Sequence, residues 1–288
     1  MGGTSGLGLS AAKACLNAGA RIFTFGRNSE KVSQAQKELG KDATVIKGTA
    51  TDPDFVDSAV DIASQELGEI HALYHVAGGS GRAKGDGPLH EITNQGWQYT
   101  IDLNLSSVFY SNRAVVRQFL KQGRGGSILN MGSVLAFSPA PKYFSTHTYS
   151  TTKSALIGLT TSMAAYYAPE QIRFNLIAPA LTKTPMSKRA TTNTEIMTFI
   201  KRKQPLDGGR IGLPSDLDSA VVFFLSDQSR FITGQVLAID GGWTVSDGHE
   251  IQQLHIVYFI NLQRNKQLNL HVINMKFKIF CSLLRLPR

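Results

Sequence analysis

A chain of 288 residues with 42% hydrophobic and 18% charged side chains has the composition of a folded globular protein, which excludes a disordered chain. The net charge of +9 does not indicate a nucleic-acid partner, because residues 251–288 contribute +6 of it and residues 1–250 only +3. Two cysteines cannot form a disulfide framework, which favours a reducing, cytoplasmic location, and no apolar run approaches the roughly 18 residues of a membrane span.

Short apolar runs alternate with longer helical segments through residue 243, and this pattern predicts an α/β fold with helices on both faces of a parallel sheet. Strands are predicted at 21–25, 43–47, 71–76, 126–131, 172–177 and 235–240. Helices are predicted near 6–18, 29–39, 54–67, 94–121, 148–168 and 215–226. We therefore expect one domain over residues 1–245, followed by an extension of unknown structure over 246–288.

A glycine-spaced turn, G-x-x-x-G-x-G, is formed by Gly2, Gly6 and Gly8 and leads into the first predicted helix. Such glycines allow a tight turn and a close approach to a pyrophosphate, whose charge is stabilised at a helix N-terminus. The alternative is an ordinary glycine-rich loop. A turn of this kind normally follows a strand, and no strand is predicted ahead of this one.

The end of the strand at 21–25 carries Gly26, Arg27 and Asn28, and it has no acidic residue. An acid at this place would accept hydrogen bonds from a ribose 2′-hydroxyl, whereas an arginine can pair with a 2′-phosphate. Arg27 therefore favours NADP as the cofactor, with NAD also possible. The alternative is that Arg27 is only a solvated turn residue.

Tyr149 and Lys153 are four residues apart and share one face of the helix predicted at 148–168. A lysine ammonium beside a phenol stabilises the phenolate and lowers its pKa from about 10, so Tyr149 can give a proton to a carbonyl. Many such pairs are structural. Ser133 favours chemistry here, because it follows the strand at 126–131, and the carboxyl ends of parallel strands form the ligand crevice.

With these motifs, residues 1–245 resemble the short-chain dehydrogenase/reductase family. The glycine turn resembles the family's TGxxxGxG, with Met1 at the usual threonine, and the tyrosine and lysine resemble its YxxxK. Residues 178–184 resemble its PGxxxT segment, and residues 234–243 its last strand. The QPL, SRFITGQ and DGGW stretches are most similar to the 3-oxoacyl-carrier-protein-reductase-like branch. The resemblance implies a single-domain Rossmann-like, doubly wound parallel sheet.

The resemblance also implies a set of roles. Tyr149 is expected to be the general acid or base, and Ser133 to bind the substrate oxygen. Lys153 is expected to hold the nicotinamide ribose, Asn104 to support a water in the proton relay, and Thr184 to contact the nicotinamide carboxamide. The residues expected to bind the cofactor are Gly2, Ser5, Gly6, Leu7, Gly8, Arg27, Ala77, Gly78, Tyr149, Lys153, Thr182 and Thr184; no metal is expected.

Several positions depart from the family pattern. Residues 75–78 read HVAG where NNAG is usual, so the asparagine contacts of the central strand are expected to be lost. Thr49 stands where an aspartate usually faces the adenine, and Ala180 replaces a glycine. Ser133 and Tyr149 are 16 residues apart rather than about 13, which predicts an enlarged loop. These changes are expected to affect cofactor affinity more than reaction type.

The absence of a predicted first strand supports a rival hypothesis. In the family this strand lies between those at 21–25 and 71–76, and burying four of its Val or Ile side chains contributes about 6–12 kcal/mol. Without it, the chain can be a truncated, non-catalytic remnant or an interaction protein. A third hypothesis makes the basic, apolar tail a membrane-surface anchor, although its apolar residues keep no single period.

The expected partner is a small, partly apolar carbonyl or alcohol substrate, without nucleic acid or membrane. The residues expected to line its pocket lie in the ranges 79–92, 134–147 and 185–204, which are the least regular parts of the chain. The resemblance implies a homodimer or homotetramer formed through the helices near 94–121 and 148–168.

Overall fold

The computed structural model describes residues 1–249, and residues 1–248 form one compact unit. Predictions about the extension therefore lie outside the described residues from position 250 onwards. In the described part of the chain, no helix is long and apolar enough to cross a membrane.

Nine helices and six strands are found between residues 1 and 249. The helices are α1 (Gly6–Asn17), α2 (Ser29–Leu39), α3 (Pro53–Leu67), α4 (Asn94–Ile101), α5 (Ser107–Gln122), α6 (His147–Tyr167), α7 (Lys188–Thr191), α8 (Thr194–Lys203) and α9 (Asp218–Leu225). The strands are β1 (Ile22–Gly26), β2 (Ala43–Lys47), β3 (Ala72–His75), β4 (Gly126–Met131), β5 (Ile172–Pro179) and β6 (Val236–Ile239).

All strand pairs are parallel, in the order β3-β4-β5-β6 for one sheet and β1-β2 for the other. Helices α3 and α5 pack together on one side, while α1 packs against α9 on the other. Parallel strands need crossover helices, and covering both faces leaves the strands buried, as Phe174 and Leu176 of β5 are. The predicted Rossmann-like α/β fold is confirmed.

The two sheets are separated by a cavity. Strands β1 and β3 are not paired with each other in the described structure, and a cavity of about 510 Å³ lies between them. Its walls include Phe23 and Phe25 of β1, Leu73 of β3, Val60 of α3 and Val115 of α5. Because this space is apolar and has a strand on each side, it resembles the place of a strand that is missing between β1 and β3.

Residues 1 and 2 connect the two sheets at one end of this cavity. The Met1 nitrogen lies 2.6 Å from the carbonyl oxygen of Tyr74, and the Met1 carbonyl accepts from Val76 at 3.1 Å. The Gly2 amide donates to the carbonyl of Phe25 at 3.2 Å. One short stretch thus hydrogen-bonds to both flanking strands, as a central parallel strand does along its whole length.

Three differences from the sequence-based prediction occur near the crevice. The helix predicted over 94–121 is interrupted by a π-helical segment at 102–106 that separates α4 from α5. Helices α7 and α8 were not predicted, because residues 185–204 carry a mixed pattern and α7 has only four residues. The last predicted helix begins as a 3₁₀ turn at Pro214–Leu217 and becomes α-helical at residue 218.

Candidate active site

The glycine turn folds tightly over the ends of β1 and β3. Gly2 has φ +87°, and a Cβ on it would lie 2.8 Å from the Ala77 nitrogen. A Cβ on Gly8 would clash with the Gly2 carbonyl oxygen and would lie 2.8 Å from a methyl of Val76. Only glycine fits either position, because any side chain would displace the turn from the strand ends.

The N-terminus of α1 is open to an anion. Ser5 precedes the helix and its side chain makes no capping hydrogen bond, and the first turn has no acidic residue. The amide groups there can therefore bind a pyrophosphate, which fits the dinucleotide predicted from the glycine spacing. Thr184 lies above the turn, with its methyl 3.5 Å from where a Cβ on Gly6 would be.

Other residues predicted to bind the cofactor surround this turn. Ala77 donates its amide to the Met1 carbonyl at 3.2 Å, and Leu7 packs into the apolar cluster around Leu129 and Val221. Thr182 is buried. Its backbone pairs with that of Gly212 in an isolated parallel bridge, which fixes the segment after β5. Ala77 and Thr182 thus shape the crevice through their backbone, and Leu7 through side-chain packing.

Arg27 extends from the end of β1 beside the glycine turn. Gly26, directly before it, packs so closely on Thr4 of the turn that a Cβ there would clash with the threonine hydroxyl. The Arg27 side chain is exposed. It therefore lies at the edge of the crevice, next to the predicted pyrophosphate position.

The predicted catalytic residues meet at the carboxyl end of β4. Tyr149 and Lys153 lie on the first two turns of α6, and the Lys153 Nζ is 5.6 Å from the centre of the Tyr149 ring. Lys153 is buried and donates to the carbonyl oxygen of Met131, the last residue of β4, at 2.8 Å. Ser133 follows β4 and is hydrogen-bonded to Tyr149.

Burial dominates the protonation of this cluster. Burial raises the pKa of the Tyr149 phenol, and the hydrogen bond from Ser133 opposes that rise. Burial lowers the pKa of Lys153 to about 8. The expected depression of the Tyr149 pKa by Lys153 is not seen in this arrangement, in which burial raises that pKa and the opposing cause is the hydrogen bond from Ser133. A neutral phenol at physiological pH is the state that can donate a proton.

Asn104 is positioned by the π-helical segment. Its side-chain nitrogen donates to the Gly79 carbonyl at 2.9 Å and to the Thr100 carbonyl at 3.0 Å, while its Oδ1 accepts from the Gly79 amide at 3.0 Å. A Cβ on Gly78 would lie 2.9 Å from Oδ1 and 3.7 Å from the Lys153 Nζ. The wide turn thus carries Asn104 to the loop after β3 and close to the lysine, as π-bulges often do at functional sites.

His75 makes central-strand contacts of its own, which the sequence-based interpretation missed. Its Nδ1 lies 2.5 Å from the Ser111 hydroxyl, and its Nε2 lies 3.0 Å from the Ala77 carbonyl. Burial is the main cause that lowers its pKa to about 3, with nearby positive charge, including Lys153, adding to the effect. A neutral imidazole therefore links β3 to α5 and fixes the loop that carries Gly78.

We expect His75 to make the protein acid-sensitive. The unfolded chain takes up a proton on this imidazole below about pH 6.5, and the folded chain only near pH 3. The contribution of His75 to the free energy of unfolding is therefore fully present above pH 6.5. It falls by roughly 4 kcal/mol at most as the pH decreases towards 3. Denaturant titrations of His75→Asn between pH 7 and pH 4 should show a flatter decline than the parent.

His71→Asn provides the matched control, because its imidazole is exposed and lies close to the same strand. That variant should not show the flattening expected of His75→Asn. Parallel pH curves for His75→Asn and the parent would contradict the assignment, whatever the absolute stability of the variant.

Asp86 is a second residue that the sequence-based interpretation missed. It is buried, and its carboxylate accepts hydrogen bonds from the backbone amides of Thr148 and Tyr149, each at 3.0 Å. A carboxylate at a helix N-terminus satisfies free amide groups and is favoured by the helix dipole. Asp86 thus fixes the backbone of Tyr149 from a loop more than sixty residues away in sequence.

The enlarged loop between Ser133 and Tyr149 is packed rather than extended into solvent. Ala140 is buried in a cluster with Ile196 and Ile200 of α8, and the indole nitrogen of Trp243 donates to the Ser138 carbonyl at 3.0 Å. The segment 134–147 and helix α8 thus form one wall beside Ser133.

Comparisons with known proteins agree with this geometry. Residues 2–244 match the family model described as enoyl-(acyl carrier protein) reductase. The chain is 32% identical over 246 residues to 3beta-hydroxysteroid dehydrogenase 2 of Eggerthella lenta, covering 84% of this chain and 92% of that protein. It is 33% identical over 248 residues to gluconate 5-dehydrogenase of Gluconobacter oxydans (85% and 93%), and 29% identical over 245 residues to cis-4-hydroxycyclohexanecarboxylate dehydrogenase of Sinomonas cyclohexanicum (84% and 94%).

Solved structures show the same fold. Gluconate 5-dehydrogenase from Burkholderia cenocepacia in complex with NADP and tartrate aligns with a TM-score of 0.77 at 29% identity, covering 85% of this chain and 93% of that one. The 3-ketoacyl-(acyl-carrier-protein) reductase from Brucella melitensis complexed with NADH aligns at 0.74 with 25% identity, over 85% and 96%.

A parallel α/β sheet with a dinucleotide turn and a serine, a tyrosine and a lysine clustered at the end of a strand defines a nicotinamide-dependent oxidoreductase. The chain belongs to the short-chain dehydrogenase/reductase family and is an NAD(P)-dependent enzyme of that family.

Proposed function

We propose that the protein is an NADP-dependent oxidoreductase that interconverts a carbonyl and a secondary alcohol on a small, partly apolar substrate. The observation that carries the proposal is the cluster of buried Ser133, half-buried Tyr149 and buried Lys153 at the carboxyl end of β4. It lies at the same end of the sheet as the glycine turn, so a bound dinucleotide and a substrate carbonyl can meet there.

In the direction of reduction, Tyr149 donates the phenolic proton to the carbonyl oxygen as that oxygen gains negative charge. Ser133 donates a hydrogen bond to the same oxygen and holds it at the phenol. Lys153 holds the ribose of the cofactor. Because its pKa is about 8, it is mostly an ammonium at neutral pH and can return a proton to Tyr149. In oxidation the tyrosine accepts the proton from the alcohol.

The glycine turn and the N-terminus of α1 would hold the pyrophosphate, and Thr184 the carboxamide end. The nicotinamide, when bound, supplies or accepts the hydride that changes the oxidation state of the substrate carbon. Asn104 orders the loop after β3 and supports a water that connects Lys153 to solvent.

Arg27 is proposed to select NADP. Replacing Arg27 with Ala should weaken NADPH binding by roughly 10- to 100-fold and NADH binding much less, because charge-assisted contacts to phosphate contribute about 1.5–3 kcal/mol. Fluorescence titration with each cofactor measures the two affinities.

Arg124→Ala is the matched control for that experiment. Arg124 is also exposed, follows α5, and pairs with Glu69, away from the glycine turn. It should leave both affinities unchanged. An equal loss for NADPH and NADH in Arg27→Ala would show that Arg27 does not read the 2′-phosphate.

Two finer assignments remain proposals. The first places the chain in the 3-oxoacyl-carrier-protein-reductase-like branch, which the QPL, SRFITGQ and DGGW stretches support. The second is that the sheet lacks its central first strand, which the cavity between β1 and β3 supports.

The rival proposal, a non-catalytic remnant, is favoured by the same cavity. A sheet divided at its centre exposes strand edges and loses apolar burial, so in the described structure only the hydrogen bonds and packing of the chain's first residues anchor the glycine turn to the strands. Titration of the chain with NADPH distinguishes the two. Saturable binding with turnover of a carbonyl substrate supports the enzyme, and the absence of both supports the remnant.

We further propose a homodimer or homotetramer formed through α4, α5 and α6. Trp97, Phe109 and Leu120 on the first two helices and Tyr166 on α6 are large and exposed. Apolar side chains grouped on adjacent helices are typical of a subunit interface. A cytoplasmic location stays a prediction from the sequence.

A further inference from the structure

The segment after β5 carries two residues proposed to bind the cofactor, and two sets of hydrogen bonds hold it. Thr182 and Thr184 belong to this segment, and Thr184 lies next to the glycine turn. In the first set, the Gly212 amide donates to the Leu181 carbonyl at 2.9 Å, and the Lys183 amide donates to the Gly212 carbonyl at 2.8 Å. Strand β5 has already ended here, so these contacts take the place of a strand partner.

Gln204 supplies the second set of hydrogen bonds. It follows α8 directly, and it is buried. Its Oε1 accepts from the Leu181 amide at 3.1 Å, and its Nε2 donates to the Leu181 carbonyl at 3.2 Å. One side-chain amide thus bonds to both backbone groups of a single residue, as a hydrogen-bonded residue of an antiparallel strand pair does.

The turn after β6 keeps Gln204 in place. Gly241 has φ +61°, and a Cβ on it would lie 3.2 Å from the Cβ of Gln204. The Leu206 amide donates to the Gly241 carbonyl at 3.0 Å. The QPL stretch at 204–206 therefore packs against the DGGW stretch at 240–243, and this packing restricts the Gln204 side chain to its position.

Gln204 also joins two parts of the site. Helix α8, which forms a wall beside Ser133, continues directly into Gln204. Leu181 comes immediately before Thr182, so a shift of its backbone moves the residues that are proposed to bind the nicotinamide end of the cofactor. Backbone groups that lose their partner inside a protein are destabilised, so the segment would move to regain one if the Gln204 amide were removed.

We propose that Gln204 is a positioning residue for the nicotinamide half of the cofactor, and that it acts through the backbone of Leu181 on Thr182 and Thr184. The inference rests on the proposed function and adds to it a residue that acts on the cofactor through others. The glycine turn and Arg27 belong to other elements, so binding of the pyrophosphate and the 2′-phosphate should not depend on Gln204.

Two probes that differ by the nicotinamide test the proposal. Calorimetric titration measures the affinities for NADPH and for ADP-ribose 2′-phosphate, which lacks the nicotinamide. In Gln204→Met, whose side chain has a similar length and no amide, NADPH should bind roughly 10-fold more weakly and the truncated probe within about two-fold of the parent. Gln204→Asn keeps the amide but is one methylene shorter, so it should show the same selective loss.

Gln122→Met is the matched control, because Gln122 makes the same pair of contacts at the amino end of β3. Its Oε1 accepts from the Ile70 amide at 3.0 Å, and its Nε2 donates to the Ile70 carbonyl at 2.8 Å. This variant should lower the melting temperature about as much as Gln204→Met does. It should leave the affinities for both probes unchanged, because these contacts lie at the opposite end of the sheet from the crevice.

The ratio of the two affinities decides between the outcomes. A ratio that is the same in the parent and in both Gln204 variants would overturn the proposal. So would an equal loss for both probes, because Gln204 would then support the fold as a whole. If the parent binds both probes but reduces no ketone, the proposed reaction alone fails, and a selective loss in the Gln204 variants still supports the positioning role. A parent that binds neither probe overturns both proposals.

Discussion

Replacing Tyr149 with Phe is expected to reduce kcat by about 10²- to 10⁴-fold, the usual contribution of a positioned general acid. The ring stays in place, because the backbone of residue 149 is bound by Asp86 and α6 continues through Lys153. Only the proton donor is lost. The affinity for NADPH should stay within about two-fold of the parent's, because the glycine turn and α1 bind the cofactor and the phenol contributes little to that binding. Steady-state reduction of a ketone and a cofactor titration measure the two quantities.

Tyr99→Phe is the control for that result. Tyr99 lies on α4 with its ring near Lys84, and removing its hydroxyl should leave kcat unchanged. Retention of a third or more of the parent kcat in Tyr149→Phe would contradict the assignment of the general acid. A parallel loss of NADPH binding would instead indicate that the substitution disturbs the cofactor site.

Filling the cavity between the sheets is expected to have the largest effect on stability. We expect a variant with an apolar, β-branched strand of about six residues followed by Thr in place of Met1 to melt on the order of 10 °C higher. Burial of four such side chains contributes about 6–12 kcal/mol, and the main-chain hydrogen bonds to β1 and β3 add about 0.5–1.5 kcal/mol each. Ordering the backbone costs about 1–2 kcal/mol per residue, which offsets most of this gain. The net gain of a few kcal/mol corresponds to that shift in a protein of this size. Tighter NADPH binding should accompany it, because the strand anchors the glycine turn.

An extension of equal length made of Gly and Ser should raise neither the melting temperature nor the affinity, because it buries no apolar surface. The proposal of a missing strand fails if the parent melts cooperatively, binds NADPH at micromolar concentration and gains nothing from the apolar extension. Deletion of residues 251–288 then identifies the reason. Loss of binding on deletion would assign the filling segment to those residues, and retained binding would assign it to a rearranged sheet.

The regular elements were predictable from local pattern, and the connections that shape the site were not. Strands 43–47 and 126–131 and helix 29–39 were predicted with the bounds that the structure has, because their apolar period and flanking turns are strong. The motif residues Ser133, Tyr149 and Lys153 were found by spacing, and the structure brings them together.

What sequence reasoning missed depends on partners that are distant along the chain. Asp86 acts on an amide 63 positions away, and His75 bonds to Ser111, 36 positions away, so neither has a local signature. The π-helical turn likewise places Asn104 against Gly79, 25 positions away in the loop after β3. The asparagine contacts of the central strand were predicted to be lost at residue 75. The His75 imidazole makes hydrogen bonds of its own there, to Ser111 and to the Ala77 carbonyl.

The hydrogen bonds that the Asp86 carboxylate accepts from the first turn of α6 join two parts of the site, a surface loop and the helix that carries Tyr149, so that they move together. The turn at residues 81–86 lies in the segment predicted to line the substrate pocket, and the helix that carries Tyr149 is proposed to perform the chemistry. A change in the shape of that turn moves the tyrosine backbone as well as the predicted pocket wall. Substrate selectivity and reaction rate are therefore coupled at residues 81–86. A variant of these residues that is made for a new substrate has to be tested for both properties together.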